Sequence, residues 1–152
     1  METVLRFVAY VRNDRRELVD DNWDDFTSVI ELADDVPASS LVGLEGFSHV
    51  EIVFFAELAH DVPPGPWHRR PRGNPDWPDV GIFAQRNKDR PNRLLVSIAA
   101  LERVQDRALV VRGLDALNDT PVLDIKPVFS WNGPRGDVRV PTWSEDIGEN
   151  YY

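Results

Sequence analysis

Thr3 to Arg12 reads Thr-Val-Leu-Arg-Phe-Val-Ala-Tyr-Val-Arg, β-branched and aromatic residues in partial two-residue alternation, the pattern of a strand with one buried wall. A second apolar burst, Ser28-Val29-Ile30-Glu31-Leu32, stands inside an acidic stretch from Asn13 to Asp35. Leu41 to Val50 leads into Glu51-Ile52-Val53-Phe54-Phe55-Ala56-Glu57-Leu58, whose near-continuous apolar run suits a strand buried on both faces. Leu94 to Val104 and Ala108 to Leu114 are β-prone and joined through Gln105-Asp106-Arg107, which predicts a hairpin. From Leu114 to Pro127, turn-forming residues precede one more short apolar strand. Between Asp61 and Pro78 stand Pro63, Pro64, Pro66, Pro71, Pro75 and Pro78, a density that forbids helix and interior strand and predicts a long loop. The tail from Val128 reads as loops plus a wrapping segment, and no stretch has the pattern of a long amphipathic helix. Many short strands with turn signals between them predict an all-β barrel or sandwich.

Composition narrows this picture. With 152 residues and 42% hydrophobic content the chain fits a single domain over residues 1–152 that buries its own core. The absence of cysteine excludes disulfides and thiolate metal sites and fits a cytoplasmic protein. No apolar run approaches the ~18 residues of a membrane span, so a soluble, unexported protein is expected. The carboxylates of the acidic stretch, among them Glu17, Asp20, Asp21, Asp24 and Asp25, lack the spacing of a calcium loop. His49, His60 and His68 lack zinc spacing, so no metal is expected. Asp plus Glu number 26 against 17 Lys plus Arg, a net charge of -9, which disfavours a protein that coats nucleic acid broadly and leaves room only for a local patch.

One stretch departs from that balance. Gly81 to Ser97 runs from a short apolar strand through a polar turn into a longer apolar strand, and the turn holds Arg86, Lys88, Arg90 and Arg93. Cations concentrated in an acidic chain point to an anionic ligand group, a carboxylate or a phosphate, or to a solvated hairpin turn; local features leave both open. Pro91 presets the turn by fixing its own φ and restricting Arg90. Upstream, Trp67, Arg69, Arg70, Arg72 and Trp77 interleave ring and charge, which can stack on and neutralise a nucleotide or pack back on the body. Glu57 belongs at a strand end in water or at a site, because an unpaired buried carboxylate is costly.

Three ordered motifs resemble the TrmO (TsaA-like) family of S-adenosyl-L-methionine-dependent methyltransferases. They are Gly43-Leu44-Glu45-Gly46-Phe47-Ser48-His49-Val50, then Gly81-Ile82-Phe83-Ala84 through Arg86 with Arg90-Pro91-Asn92, then Gly113-Leu114-Asp115 through Thr120-Pro121-Val122-Leu123-Asp124-Ile125-Lys126-Pro127. The resemblance covers a motif-bearing core of about residues 12–127 and leaves a tail at 128–152. It implies a β-barrel, a homodimer and methyl transfer to the N6-threonylcarbamoyladenosine of tRNA at position 37. Agreement comes from the chain itself, which has no G-x-G-x-x-G after a strand and so no Rossmann cofactor loop. By resemblance, Arg86 meets the cofactor carboxylate, Phe83, Ala84 and Val96 shape the floor, and Leu117, Asn118, Asp119 and Thr120 border the adenosine. Glu57 would face the sulfonium or amino group. Arg90 and Asn92 would hold the loop or the acceptor, and Arg69, Arg70 and Arg72 would meet tRNA. No catalytic base is named; Asp115 and Asp124 are candidates for that role or for closing the barrel. Where the family usually has Asp-Gly-Thr-Pro this chain has Asn118-Asp119-Thr120-Pro121. The alternatives are a methyltransferase of the same fold with a small-molecule acceptor, and a non-enzymatic module that binds S-adenosyl-L-methionine or a nucleotide.

Overall fold

The computed structural model describes residues 3–17, 21–57 and 67–152. Asp20, Leu58, His60 and the Asp61 to Pro66 part of the proline-rich loop lie outside them. The strands are β1 (Ala9–Arg12), β2 (Thr27–Leu32), β3 (His49–Phe55), β4 (His68–Arg69), β5 (Val80–Gly81), β6 (Leu94–Gln105), β7 (Ala108–Arg112) and β8 (Pro121–Pro127). Six of them close an antiparallel barrel in the order β1-β2-β7-β6-β3-β8, while β4 and β5 form a separate two-stranded ribbon. Of the all-β barrel or sandwich expected from the chain, the barrel implied by the resemblance is the fold.

Inward-facing Val11, Ile30, Val50, Ile52, Leu109, Val111 and Val122 are buried and fill the barrel. β3 corrects one expectation. It alternates instead of being buried on both faces: Val50, Ile52 and Phe54 point in, and Glu51, Val53 and Phe55 are half-exposed on the outer wall. The physical reason is that the sheet closes on itself with no helical layer outside it, so each strand has a single dry face. The β6–β7 hairpin forms as predicted. Asp106 takes the left-handed region at φ 44° in its turn, and Arg107 anchors the turn by donating from Nη2 to the Ala33 carbonyl at 2.7 Å.

The N-terminal strand is shorter than its pattern. Residues 3–7 are exposed and lie outside the ladder, because β1 meets β8 only through Ala9↔Val122 and Tyr10↔Pro121, with Val8 N–H reaching the Val122 carbonyl at 2.8 Å. Phe7 instead lays its ring against Tyr10 and Phe55, centroids 6.4 and 6.1 Å away.

The stretch from Gly81 to Ser97 is also rebuilt. Val80 and Gly81 pair with His68 and Arg69 and not with β6; a single 3₁₀ turn follows over Ile82–Ala84, and the chain rejoins the barrel only at Leu94. Buried Gln85 causes this. Its amide Nε2 donates to the carbonyls of Arg69 at 2.9 Å and Val80 at 3.1 Å, tying both ribbon strands together. A buried amide at the start of the turn thus overrides the apolar pattern before it.

The tail wraps, as expected, and contains one short helix, α1 (Thr142–Gly148). Beyond it, Asn22 and Trp23 donate their amides to the carbonyls of Asn150 and Tyr151 at 2.9 and 3.0 Å, and Tyr151 Oη donates to Asp115. Gly113 lies beneath this strap at φ +78°, where an added Cβ would fall 2.5 Å from Asp24 Oδ1. Gly113→Ala is expected to lower stability by about 1–2 kcal/mol, because the backbone conformation disfavours any Cβ. Urea denaturation checks it, with Gly46→Ala as the control, since nothing lies within 4 Å of a Cβ there. No helix among the described residues is long and apolar enough to cross a membrane.

Candidate functional site

Antiparallel pairing brings the end of β1, the end of β3 and the starts of β6 and β8 to one rim of the barrel. Around that rim β3 lies between β6 and β8. Glu57, exposed two residues past β3, consequently stands between the Arg86–Val96 side and the 117–120 loop. With neighbouring strands about 4.8 Å apart, those two sides are separated by about 10 Å.

On the β6 side Arg86 donates from Nη2 to the Val96 carbonyl at 3.0 Å. Two expected site residues therefore touch. Val96 is 40% exposed and Phe83 75% exposed, and Ala84 is exposed as well; together they give apolar surface beside a guanidinium that is open to solvent. Across the rim, Leu117 is buried, and Thr120 donates its amide to the Leu117 carbonyl at 3.3 Å. Asn118 Oδ1 accepts from the Asn13 amide at 3.0 Å, and Asp119 pairs with Arg12. Asn13 Nδ2 adds bonds to Ser28 Oγ and the Ala116 carbonyl, both at 2.9 Å. Arg12 and Asn13 weld the loop to β1, a role missed in the sequence, where Arg12 reads only as a strand end and Asn13 as the first residue of an acidic stretch.

The expected basic face is built differently. Arg69 pairs with Asp89 at 2.7 Å, and Arg72 with Asp21 at 2.8 Å. Arg70 donates to the Pro75 and Trp77 carbonyls at 2.7 and 2.6 Å, and Arg90 to the Gln85 carbonyl at 2.5 Å. Arg70 and Arg90 hold the loops in shape, because backbone carbonyls left without strand partners need donors, and Arg69 and Arg72 tie them by ion pairs. Asn92 is exposed at the far edge of the turn. Of the two base candidates, Asp115 receives Tyr151 Oη and has its amide 3.4 Å from Ser97 Oγ. Asp124 sits mid-strand opposite Val53 beside Lys126, its Oδ1 bonded to the Ile125 amide at 2.9 Å. Asp124 is thus part of the wall, level with Val96 on the other side of β3. Among the described residues no three His, Asp or Glu side chains are grouped to hold a metal ion.

Residues 20–132 match the tRNA-methyltransferase O N-terminal domain. The chain belongs to this family. The human tRNA (adenine(37)-N6)-methyltransferase is 40% identical over 116 residues, 76% of this chain and 26% of that protein. The probable S-adenosyl-L-methionine-binding protein VirR of Rhizobium radiobacter is 39% identical over 102 residues, 67% of this chain and 55% of that one. A crystal structure of TrmO from Pseudomonas aeruginosa superposes with a TM-score of 0.73 at 27% identity, covering 91% of this chain and 62% of that chain. The chain thus spans about a quarter of the human relative and about half of VirR.

The TrmO resemblance places glycine where this chain has Asp119, and the backbone accounts for the exchange. Asp119 holds φ 66°, the left-handed region that glycine adopts freely and that aspartate tolerates better than most residues. Its amide bond to the Val11 carbonyl at 2.7 Å and its pairing with Arg12 keep it there. Chemically, the rim offers an arginine for a carboxylate, the acid Glu57 for an ammonium or sulfonium, and apolar Phe83, Ala84, Val96 and Leu117 for an uncharged ring. That donor set fits the zwitterionic end, the cationic sulfur and the adenine of S-adenosyl-L-methionine.

Proposed function

We propose that this chain binds S-adenosyl-L-methionine across the β6–β3–β8 rim and transfers its methyl group to N6 of an adenine in tRNA, at position 37 as in the named activity of its relatives. One observation carries the reading: Arg86 with Val96, Glu57 and the 117–120 loop share one rim within reach of a single nucleoside with an amino-acid arm. Bound there, the cofactor supplies a methyl group activated on a sulfonium. In-line displacement then needs donor and acceptor atoms roughly 3 Å apart and aligned, with no protein nucleophile. Arg86 binds the carboxylate, Glu57 faces positive charge, and Leu117 to Thr120 border the adenosine. Arg90 acts through the turn it braces, and Asn92 is open to the acceptor.

The barrel and its tail work as one unit over residues 1–152, in the cytoplasm. A second copy packs on the outer wall of β6, where Ile98 is 50% exposed beside Val96. A small-molecule acceptor is the second reading, favoured by the net charge of -9 and by the internal pairing of Arg69 and Arg72.

Methyl-labelled cofactor, incubated with bulk tRNA or with a small-molecule extract, tests both. The expected result is label in an N6-methylated adenosine from digested tRNA. Label only in the small-molecule fraction selects the second reading, and cofactor binding without product in either pool selects a non-enzymatic module.

A further inference from the structure

Two large aromatic side chains beside the proposed cofactor rim are left in water. Trp67 is 68% exposed and Phe83 75% exposed. They are not scattered: their ring centroids lie 6.3 Å apart with planes at 63°, an open corner between two faces. Short-range bonding fixes that corner. The Trp67 carbonyl accepts the Ile82 amide at 2.9 Å, so Trp67 is tied to the 3₁₀ turn that presents Phe83, and the β4–β5 ribbon begins at the next residue. Along the chain, Phe83 precedes by three residues the arginine that meets Val96. From Arg86 to Arg93 the adjoining turn carries Arg86, Lys88, Arg90 and Arg93 against the single acid Asp89, in a chain of net charge -9.

We propose that the Trp67 ring, braced by Phe83, forms the stacking face of this corner for an unpaired base of the RNA acceptor, next to the adenine that is methylated. This rests on the tRNA reading of the site and names the residue that would hold the loop there. Every base offers a π-face, and an aromatic ring takes it without regard to sequence. The positive turn beside the corner suits a phosphate backbone better than an apolar peptide. It also assigns a recognition different in kind from an arginine on a phosphate: affinity from a ring, with little dependence on salt.

The test uses the full chain and a fluorescein-labelled RNA stem-loop with an unpaired, adenine-containing loop. Trp67→Leu keeps apolar bulk and removes the ring; Trp67→Phe keeps a ring. Trp67→Leu is expected to weaken RNA binding about tenfold with an unchanged slope of affinity against salt, while Trp67→Phe retains most of the affinity. S-adenosyl-L-methionine binding by calorimetry is expected to stay at the wild-type level in both. Wild-type RNA affinity in Trp67→Leu overturns the corner and leaves the tRNA reading standing. A loss confined to cofactor affinity assigns the ring to the cofactor and overturns it too. No RNA binding by the wild-type chain overturns the corner together with the reading beneath it.

Discussion

Arg86→Ala is expected to weaken S-adenosyl-L-methionine binding by about 1.5–3 kcal/mol, the scale of a hydrogen bond to a charged group. The guanidinium has two tasks at once: Nη2 holds the Val96 carbonyl at 3.0 Å, and its remaining donors are open to solvent. Lysine has the charge but not the planar fork that serves a carbonyl and a carboxylate together. Arg86→Lys is therefore expected to recover only part of the loss. Calorimetry measures both variants, and an unchanged affinity in Arg86→Ala would remove this residue from the site.

The second large effect is on stability. Ile52 is fully buried and lies on the middle strand of the site, opposite Ser97 on β6 and Ile125 on β8. Ile52→Ala is expected to cost about 2–5 kcal/mol, the lost burial plus a cavity that a closed barrel cannot collapse. Urea denaturation reads the cost. A loss below about 1 kcal/mol would mean that the interior repacks like a softer core than the one described. Val140→Ala in the tail is the control, because Val140 is exposed.

What could be read in advance follows from the range of the interactions involved. Alternation in Ser28 to Leu32 and the paired apolar runs around Asp106 are local patterns, and both became strands. β3 misled because its outer face carries Val53 and Phe55; half-exposed apolar side chains imitate a strand buried on both sides. The turn after Gly81 misled because Gln85 bonds across to Arg69, sixteen residues away, and no local pattern encodes that. The cofactor candidates came from motif resemblance; strand pairing accounts for the shared rim of Glu57 and the 117–120 loop, and one side-chain bond ties Arg86 to β6. The stapled arginines and the reach of Tyr151 to Asp115 depend on tertiary approach alone, so charge and spacing along the chain cannot announce them.

The short seam between β1 and β8 bears on how the molecule keeps to itself. Past Val122, β8 runs on without a β1 partner among the described residues, and a bare margin of that kind normally invites another chain to zip on. Pro127 has no N–H to offer there, and the Ile125 amide is already occupied by the Asp124 carboxylate. The gap in the wall is thereby kept from turning adhesive.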